Sequence, residues 1–152
     1  AKDALHNLTV TQFRVKMDRI PGMITHLWLT PTVQGSYEIQ VLDSYGLVVR
    51  DNDCGAIYGQ AKPMVNACRP PEVWQSYDIL FHAPRYDDAG KLVAKPRVSV
   101  LQNGLWIHDN VEIAGATTAS MSRDLRDRGP IMLQDHGNPV QYRNIWLRPL
   151  GE

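Results

Sequence analysis

Arg97-Val98-Ser99-Val100-Leu101-Gln102 and Leu105-Trp106-Ile107-His108 stand on either side of Asn103-Gly104. Both flanks are rich in β-branched, aliphatic and aromatic residues, and the first alternates polar with apolar positions. Asn and Gly tolerate the positive φ angles of a type I′ turn, whose twist matches the strands it joins. Val98 to His108 therefore reads as an antiparallel hairpin. The two-residue period recurs outward from it. Leu8 to Met17 alternates until Pro21-Gly22 interrupts it, and Met23 to Leu29 is β-prone and closed by Thr30-Pro31. Tyr37 to Leu42 alternates, as does Trp74 to His82 before Ala83-Pro84, and Val140 to Leu147 follows the Gly137-Asn138-Pro139 turn. A helical signal is confined to Thr117 to Arg128, where the charges leave no complete apolar face. Short strands punctuated by Gly, Pro and Asn predict an all-β fold, an antiparallel β-sandwich or jelly roll, in a single domain spanning residues 1–152.

The chain has 152 residues, long enough for one core, and its 16 Lys+Arg balance 16 Asp+Glu. Zero net charge excludes a protein that holds nucleic acid by global basic charge. No apolar run approaches the roughly 18 residues of a membrane-spanning helix, so neither nucleic acid nor membrane is an expected partner. No basic-then-apolar leader opens the chain. The two cysteines, Cys54 and Cys68, are not spaced as a zinc site, and two thiols alone cannot make one. They either pair in an oxidising compartment or stand as two separate buried thiols. There is no serine nucleophile elbow, no glycine-rich phosphate loop and no dense metal-ligand cluster, so no cofactor and no metal is expected.

Alternation on Tyr37-Glu38-Ile39-Gln40-Val41-Leu42-Asp43 puts Tyr37, Ile39 and Val41 toward a core and Glu38 and Gln40 on the other side. A bulge at Val41-Leu42 would return Asp43 to the side of Glu38. Two carboxylates flanking one polar residue suit glycosidic chemistry, which needs an acid and a base or nucleophile. The alternative is a solvated face with Asp43 as a turn residue. On the strand from Trp74, the side opposite Tyr77, Ile79 and Phe81 carries Trp74, Ser76, Asp78, Leu80 and His82. An aromatic ring beside an Asp and a His suits a sugar, although an edge strand with a satisfied Asp explains the same pattern. The expectation is that Glu38 and Gln40 project from the same face as Asp78 and His82. Gln134-Asp135-His136-Gly137-Asn138 gathers polar groups in a tight turn, where a carboxylate can orient an imidazole. His6, His26 and His108 have no such company and read as structural. Residues 51–71 lack periodicity and hold Tyr58, Asn66 and Arg69; they read as a functional loop or a plain connection over an edge strand.

Four ordered stretches carry a resemblance. They are Tyr37 to Gly46, Gly55-Ala56-Ile57-Tyr58-Gly59, Val65 to Pro71 with Trp74 to Ile79, and Leu133 to Val140 with Arg143 to Leu150. Together they resemble the 3-keto-disaccharide hydrolase domain family, from about Tyr37 to the C-terminus and more loosely from Leu8. The resemblance implies a concanavalin A-like jelly roll with a sugar-binding concave face. In active members it implies cleavage of glycosides oxidised at C3, in a secreted or periplasmic setting. On that pattern Glu38 and Asp43 are the expected acid/base pair and His136 the helper. Gln40, Tyr58, Arg69, Trp74, Asp78, Gln134 and Asp135 would line the sugar site. Retaining β-glucanases of the same jelly roll carry Glu-x-Asp-x-x-Glu, at which spacings this chain has Glu38, Gln40 and Asp43; that likeness is at the level of the fold. The family's first strands and its Gly-Asn-Ser-Gly segment have no counterpart in the match. The expectation is therefore a homodimer or larger, with residues 8–30 in the contact. A carbohydrate is the expected ligand, a 3-keto or ordinary glycoside cleaved by an enzyme or a sugar held by a lectin-like module; the remaining alternative is a minimal self-associating domain that has lost the activity.

Overall fold

The computed structural model describes residues 7–17, 24–29, 37–117, 120, 125, 131–134 and 140–149. Eleven strands follow one another: β1 (Asn7–Met17), β2 (Ile24–Leu29), β3 (Tyr37–Leu42), β4 (Gln75–His82), β5 (Arg85–Tyr86), β6 (Leu92–Ala94), β7 (Arg97–Gln102), β8 (Leu105–Glu112), β9 (Ile131–Gln134), β10 (Val140–Arg143) and β11 (Trp146–Pro149). No helix occurs among the described residues. Six strands form one sheet in the order β10-β1-β4-β7-β8, with β11 also on β1, and β3-β2-β9 form a second, three-stranded sheet. The strand pairs in both are antiparallel. The fold is thus the expected all-β antiparallel sandwich.

The sheets meet through the apolar halves of their alternating strands. Tyr37, Ile39 and Val41 of β3 share one buried cluster with Tyr77, Ile79 and Phe81 of β4 and with Val98, Val100 and Ile107. The Tyr37 and Phe81 rings lie 5.2 Å apart, centroid to centroid, across the interface. Each such side chain contributes roughly 1.5–3 kcal/mol by leaving water. The β7–β8 hairpin turns at Asn103 (φ 53°) and Gly104 (φ 83°), the two positive angles that a type I′ turn requires.

Two local expectations are corrected. Tyr37 to Leu42 stays in unbroken register with β2, from Leu29↔Tyr37 to Ile24↔Leu42, so there is no bulge at Val41-Leu42. The register shifts instead in β1, between Val10 and Phe13 where it faces β4. Val140 to Leu147 is two strands, separated where Asn144 takes φ 53°. Residues 51–71 cover the free edge of β3, the connecting role that one of the two readings gave them, and Cys54, Ala56, Ile57 and Ala67 also join the core. Ile57 bridges to both Ile39 and Ala61, and the Asn66 amide clamps the Ser44 and Leu47 carbonyls at 2.6 and 2.8 Å. The expected turn of helix at Thr117 to Arg128 lies mostly outside the described residues. Of its described residues, the Thr117 carbonyl accepts a hydrogen bond from the Ser120 amide.

Candidate functional site

β3 is flanked on one edge by β2 and on the other by residues 55–58. The Tyr58 amide donates to the Glu38 carbonyl (3.2 Å), the Gln40 amide to the Ala56 carbonyl (2.9 Å) and the Gly55 amide to the Gln40 carbonyl (2.7 Å). Ile39 and Ile57 pair across this junction and both enter the core, which puts Glu38 beside Tyr58 on the opposite side. Strand register extends these rows. Glu38 is the partner of Trp28, which pairs with Met132; Gln40 is the partner of His26, which pairs with Gln134. Glu38 and Gln40 are each only 1% exposed. The Gln40 amide donates to the Asn52 carbonyl at 3.3 Å, so the loop between β3 and β4 closes against this face.

The expected site residues are divided between two faces. Glu38, Gln40 and Tyr58 come together, with Gln134 at a register position two strands away. Asp78 and His82 belong to the other sheet and lie on its outer side, because their neighbours Tyr77, Ile79 and Phe81 point inward, and Trp74 immediately precedes that strand. The inner sides of β3 and β4 face each other, so Glu38 and Gln40 point away from Asp78 and His82. The single groove expected from alternation is therefore absent: period two tells the side of a strand but not which sheet the strand joins. Asp43 lies just past β3, where its Oδ1 accepts the Tyr45 amide at 3.3 Å as a turn residue does. Asp135 and His136 lie outside the described residues.

The outer side of the larger sheet is more open. The Arg143 guanidinium lies 3.8 Å from the centroid of the Trp74 ring, a cation–π contact. Arg69 reaches the Trp74 carbonyl at 3.5 Å. Trp106, 50% exposed, is the partner of Leu101, which in turn pairs with Asp78. At the far end of β4, His82 opens onto a cavity of about 410 Å³ with Arg85, Lys95, Arg97 and Asn110. Glu112 balances part of this charge, bonding Lys95 at 2.9 Å and Arg97 at 3.5 Å.

A third polar group is buried at the edge of the core. The Gln102 side chain, fully buried, donates from Nε2 toward Cys54 Sγ (3.2 Å), Cys68 Sγ (3.4 Å) and Tyr77 Oη (3.0 Å), and Cys54 Sγ lies 2.9 Å from Tyr77 Oη. A hydrogen bond from Cys68 draws the Cys54 thiol down to about 7 and, reciprocally, holds the Cys68 proton on. Burial pushes the Tyr77 phenol well above its usual range. Gln102 was not among the residues singled out from sequence. The signal was there: Val98 and Val100 fix the inward register, and a Gln two positions later in that register is a buried amide needing partners. His108 is buried with Nε2 2.8 Å from the Gly55 carbonyl, and burial lowers its pKa. Among the described residues no cluster of three or more His, Cys, Asp or Glu could hold a metal.

The family model described as the 3-keto-alpha-glucoside-1,2-lyase-like domain matches residues 13–148. A crystal structure of a candidate glycosyl hydrolase from Parabacteroides distasonis ATCC 8503 superposes with a TM-score of 0.80 at 31% identity, covering 99% of this chain and 66% of that one. A second structure described in the same words, from the same organism, has a TM-score of 0.60 at 18% identity over 96% of this chain and 73% of its own, and supports the fold alone. The alternative cytochrome c oxidase subunit 2 of Bradyrhizobium diazoefficiens is 34% identical over 74 residues, 47% of this chain and 24% of that protein. The chain thus spans about two thirds of the first structural relative, and the match covers about a quarter of the curated one.

Proposed function

Because this chain belongs to the 3-keto-alpha-glucoside-1,2-lyase-like domain family, we propose that it is a carbohydrate-active domain that cleaves 3-keto glycosides by elimination. Glu38, Gln40 and Tyr58 are its reacting groups. The observation that carries this reading is the pairing of Glu38 with Tyr58 across the β3 edge, beside the row through Gln40, His26 and Gln134.

The chemistry follows from the ketone. A carbonyl at C3 acidifies the proton on C2. Glu38, as general base, takes that proton, and the C2–H electron pair forms an enolate delocalised onto the ketone oxygen. The electrons then return to form the C1–C2 double bond, and the anomeric oxygen leaves with its bonding pair, receiving a proton. Water adds to the enone in a later step to complete hydrolysis. The Tyr58 hydroxyl and the Gln40 amide are groups of the right type to bond developing oxygen charge. A site closed to bulk water strengthens each such interaction. Asp43, occupied by its own turn, has no part in this assignment, so Glu38 acts without the second carboxylate that ordinary glycoside hydrolysis requires.

A second reading is favoured by the difference in exposure between the faces. The side carrying Trp74, Asp78 and Trp106 is open, whereas Glu38 and Gln40 are closed off. An open face with aromatic rings and polar groups suits a lectin-like module that holds a sugar without cleaving it.

A panel of 3-keto and unmodified glucosides, with product analysis, tests both. The expected result is cleavage of 3-keto substrates alone, lost in Glu38→Gln. Saturable binding with no cleavage, abolished by Trp74→Ala, would replace the first reading with the second.

A further inference from the structure

Cys54 and Cys68 lie far apart along a loop yet converge on one donor, the Gln102 amide, at 3.2 and 3.4 Å. Both thiols are free. The surroundings fix them in place. The Cys54 amide donates to Ser44 Oγ at 3.0 Å, and the Cys68 amide to Asn66 Oδ1 at 3.0 Å. Asn66 is itself anchored to the Ser44 and Leu47 carbonyls. Cys54 is 3% exposed, while Cys68 is partly open to solvent. The pair thus joins one residue that is partly open to solvent with one that is buried.

We infer that Cys54 and Cys68 are a modification site, a preorganised dithiol that closes an intramolecular disulfide on exposure to a low-molecular-weight disulfide. The step balances as thiol–disulfide exchange. Cys68 passes its proton to the neighbouring Cys54 sulfur and attacks one sulfur of the reagent, forming a mixed disulfide and expelling the first reagent thiolate, which takes that proton up. The Cys54 thiolate then attacks Cys68 Sγ, breaking the mixed bond and expelling the second. The protein is oxidised by two electrons, the reagent is reduced to two thiols, and the two protein thiol protons end on those thiols. The ring runs from Cys54 through Ile57 and Tyr58 to Cys68, so the bridge would tie down the segment that pairs with β3. It would also release Gln102 Nε2 from two sulfur acceptors, leaving it the Tyr77 hydroxyl at 3.0 Å.

The test incubates the whole folded chain with oxidised glutathione, blocks residual thiols with an alkylating agent and weighs the product. The expected result is a monomer lighter by about 2 Da with no alkylation. Its protease digest joins the Cys54 and Cys68 peptides. Cys54→Ser and Cys68→Ser stop at the alkylated or glutathione-bound form. Closing a loop of roughly 15 residues in an unstrained site should raise the thermal midpoint by about 5–10 °C. Native protein that keeps both thiols alkylatable, stops at a mixed disulfide, or links only between copies would overturn the inference. So would a bridged form that melts below the reduced one, since the site would then not be preorganised.

Discussion

His108 is held neutral by its surroundings: burial lowers its pKa from the ordinary 6.5, against a smaller opposing effect of the Gly55 carbonyl. Between that lowered value and 6.5 the unfolded chain takes up a proton that the folded chain refuses, so stability falls as pH drops through this window. Above it both states are neutral and the effect vanishes. Urea midpoints measured from pH 7 to 5 should therefore decline, and His108→Gln should show a shallower decline than the parent. Gly55 makes a harder demand. Its φ is +81°, and a Cβ there would lie 2.5 Å from Ile107 Cδ1. Gly55→Ala should cost about 2–4 kcal/mol by denaturant unfolding, from the backbone angle and the forced movement of a packed side chain. His108 as a structural residue was legible in the sequence from its lack of polar company. Glu38 and Gln40 as a pair on one side of β3 were legible from alternation. Their closure from solvent was not, because it depends on Asn52 and the loop folding back, a contact no local pattern encodes.

Among the elements, the β7–β8 hairpin is the part most fully written in its own residues, since Asn-Gly names the turn type. Asn103 does more than turn. Its Oδ1 accepts the Ser76 amide at 2.9 Å, and its Nδ2 donates to the Ala67 carbonyl at 2.7 Å and Gln75 Oε1 at 2.6 Å. The turn thereby pins the start of β4 and the end of the long loop. Asn103→Gly keeps the permissive φ and loses the side-chain bonds; Asn103→Ala loses both. Equilibrium unfolding should rank them parent, Gly, Ala, with losses of about 1–2 and 2–4 kcal/mol. The division between β10 and β11 could also have been found. Val140 and Tyr142 set one apolar phase, Ile145 and Leu147 the other, and the slip falls at Asn144, the residue with positive φ. The short β5–β6 pair gave a weaker signal, Gly90 with φ +77° closing a turn in which Asp87 accepts the Ala89 and Lys91 amides.

At the scale of the molecule, the sandwich brings distant stretches together: β1 pairs with β4 and with β10 and β11, and β9 returns to β2. Such pairings explain why the class of fold was readable and the groove was not. Alternation assigns each residue to a side, and the resemblance supplies the jelly roll. The assignment of β3 and β4 to opposing sheets rests on contacts many residues apart. A far-ultraviolet dichroism spectrum should show a β signature without helical minima, and a helix-dominated spectrum would reject the architecture. The elimination chemistry is read most directly at the substrate's C2 hydrogen. A 3-keto-α-glucoside incubated in deuterium oxide with the chain should exchange or lose its C2 proton well above the enzyme-free rate, and Glu38→Gln should slow this by about 10²- to 10⁴-fold. A chain that cleaves the substrate with the C2 proton retained, or a Glu38→Gln variant that matches the parent, would contradict Glu38 as the base.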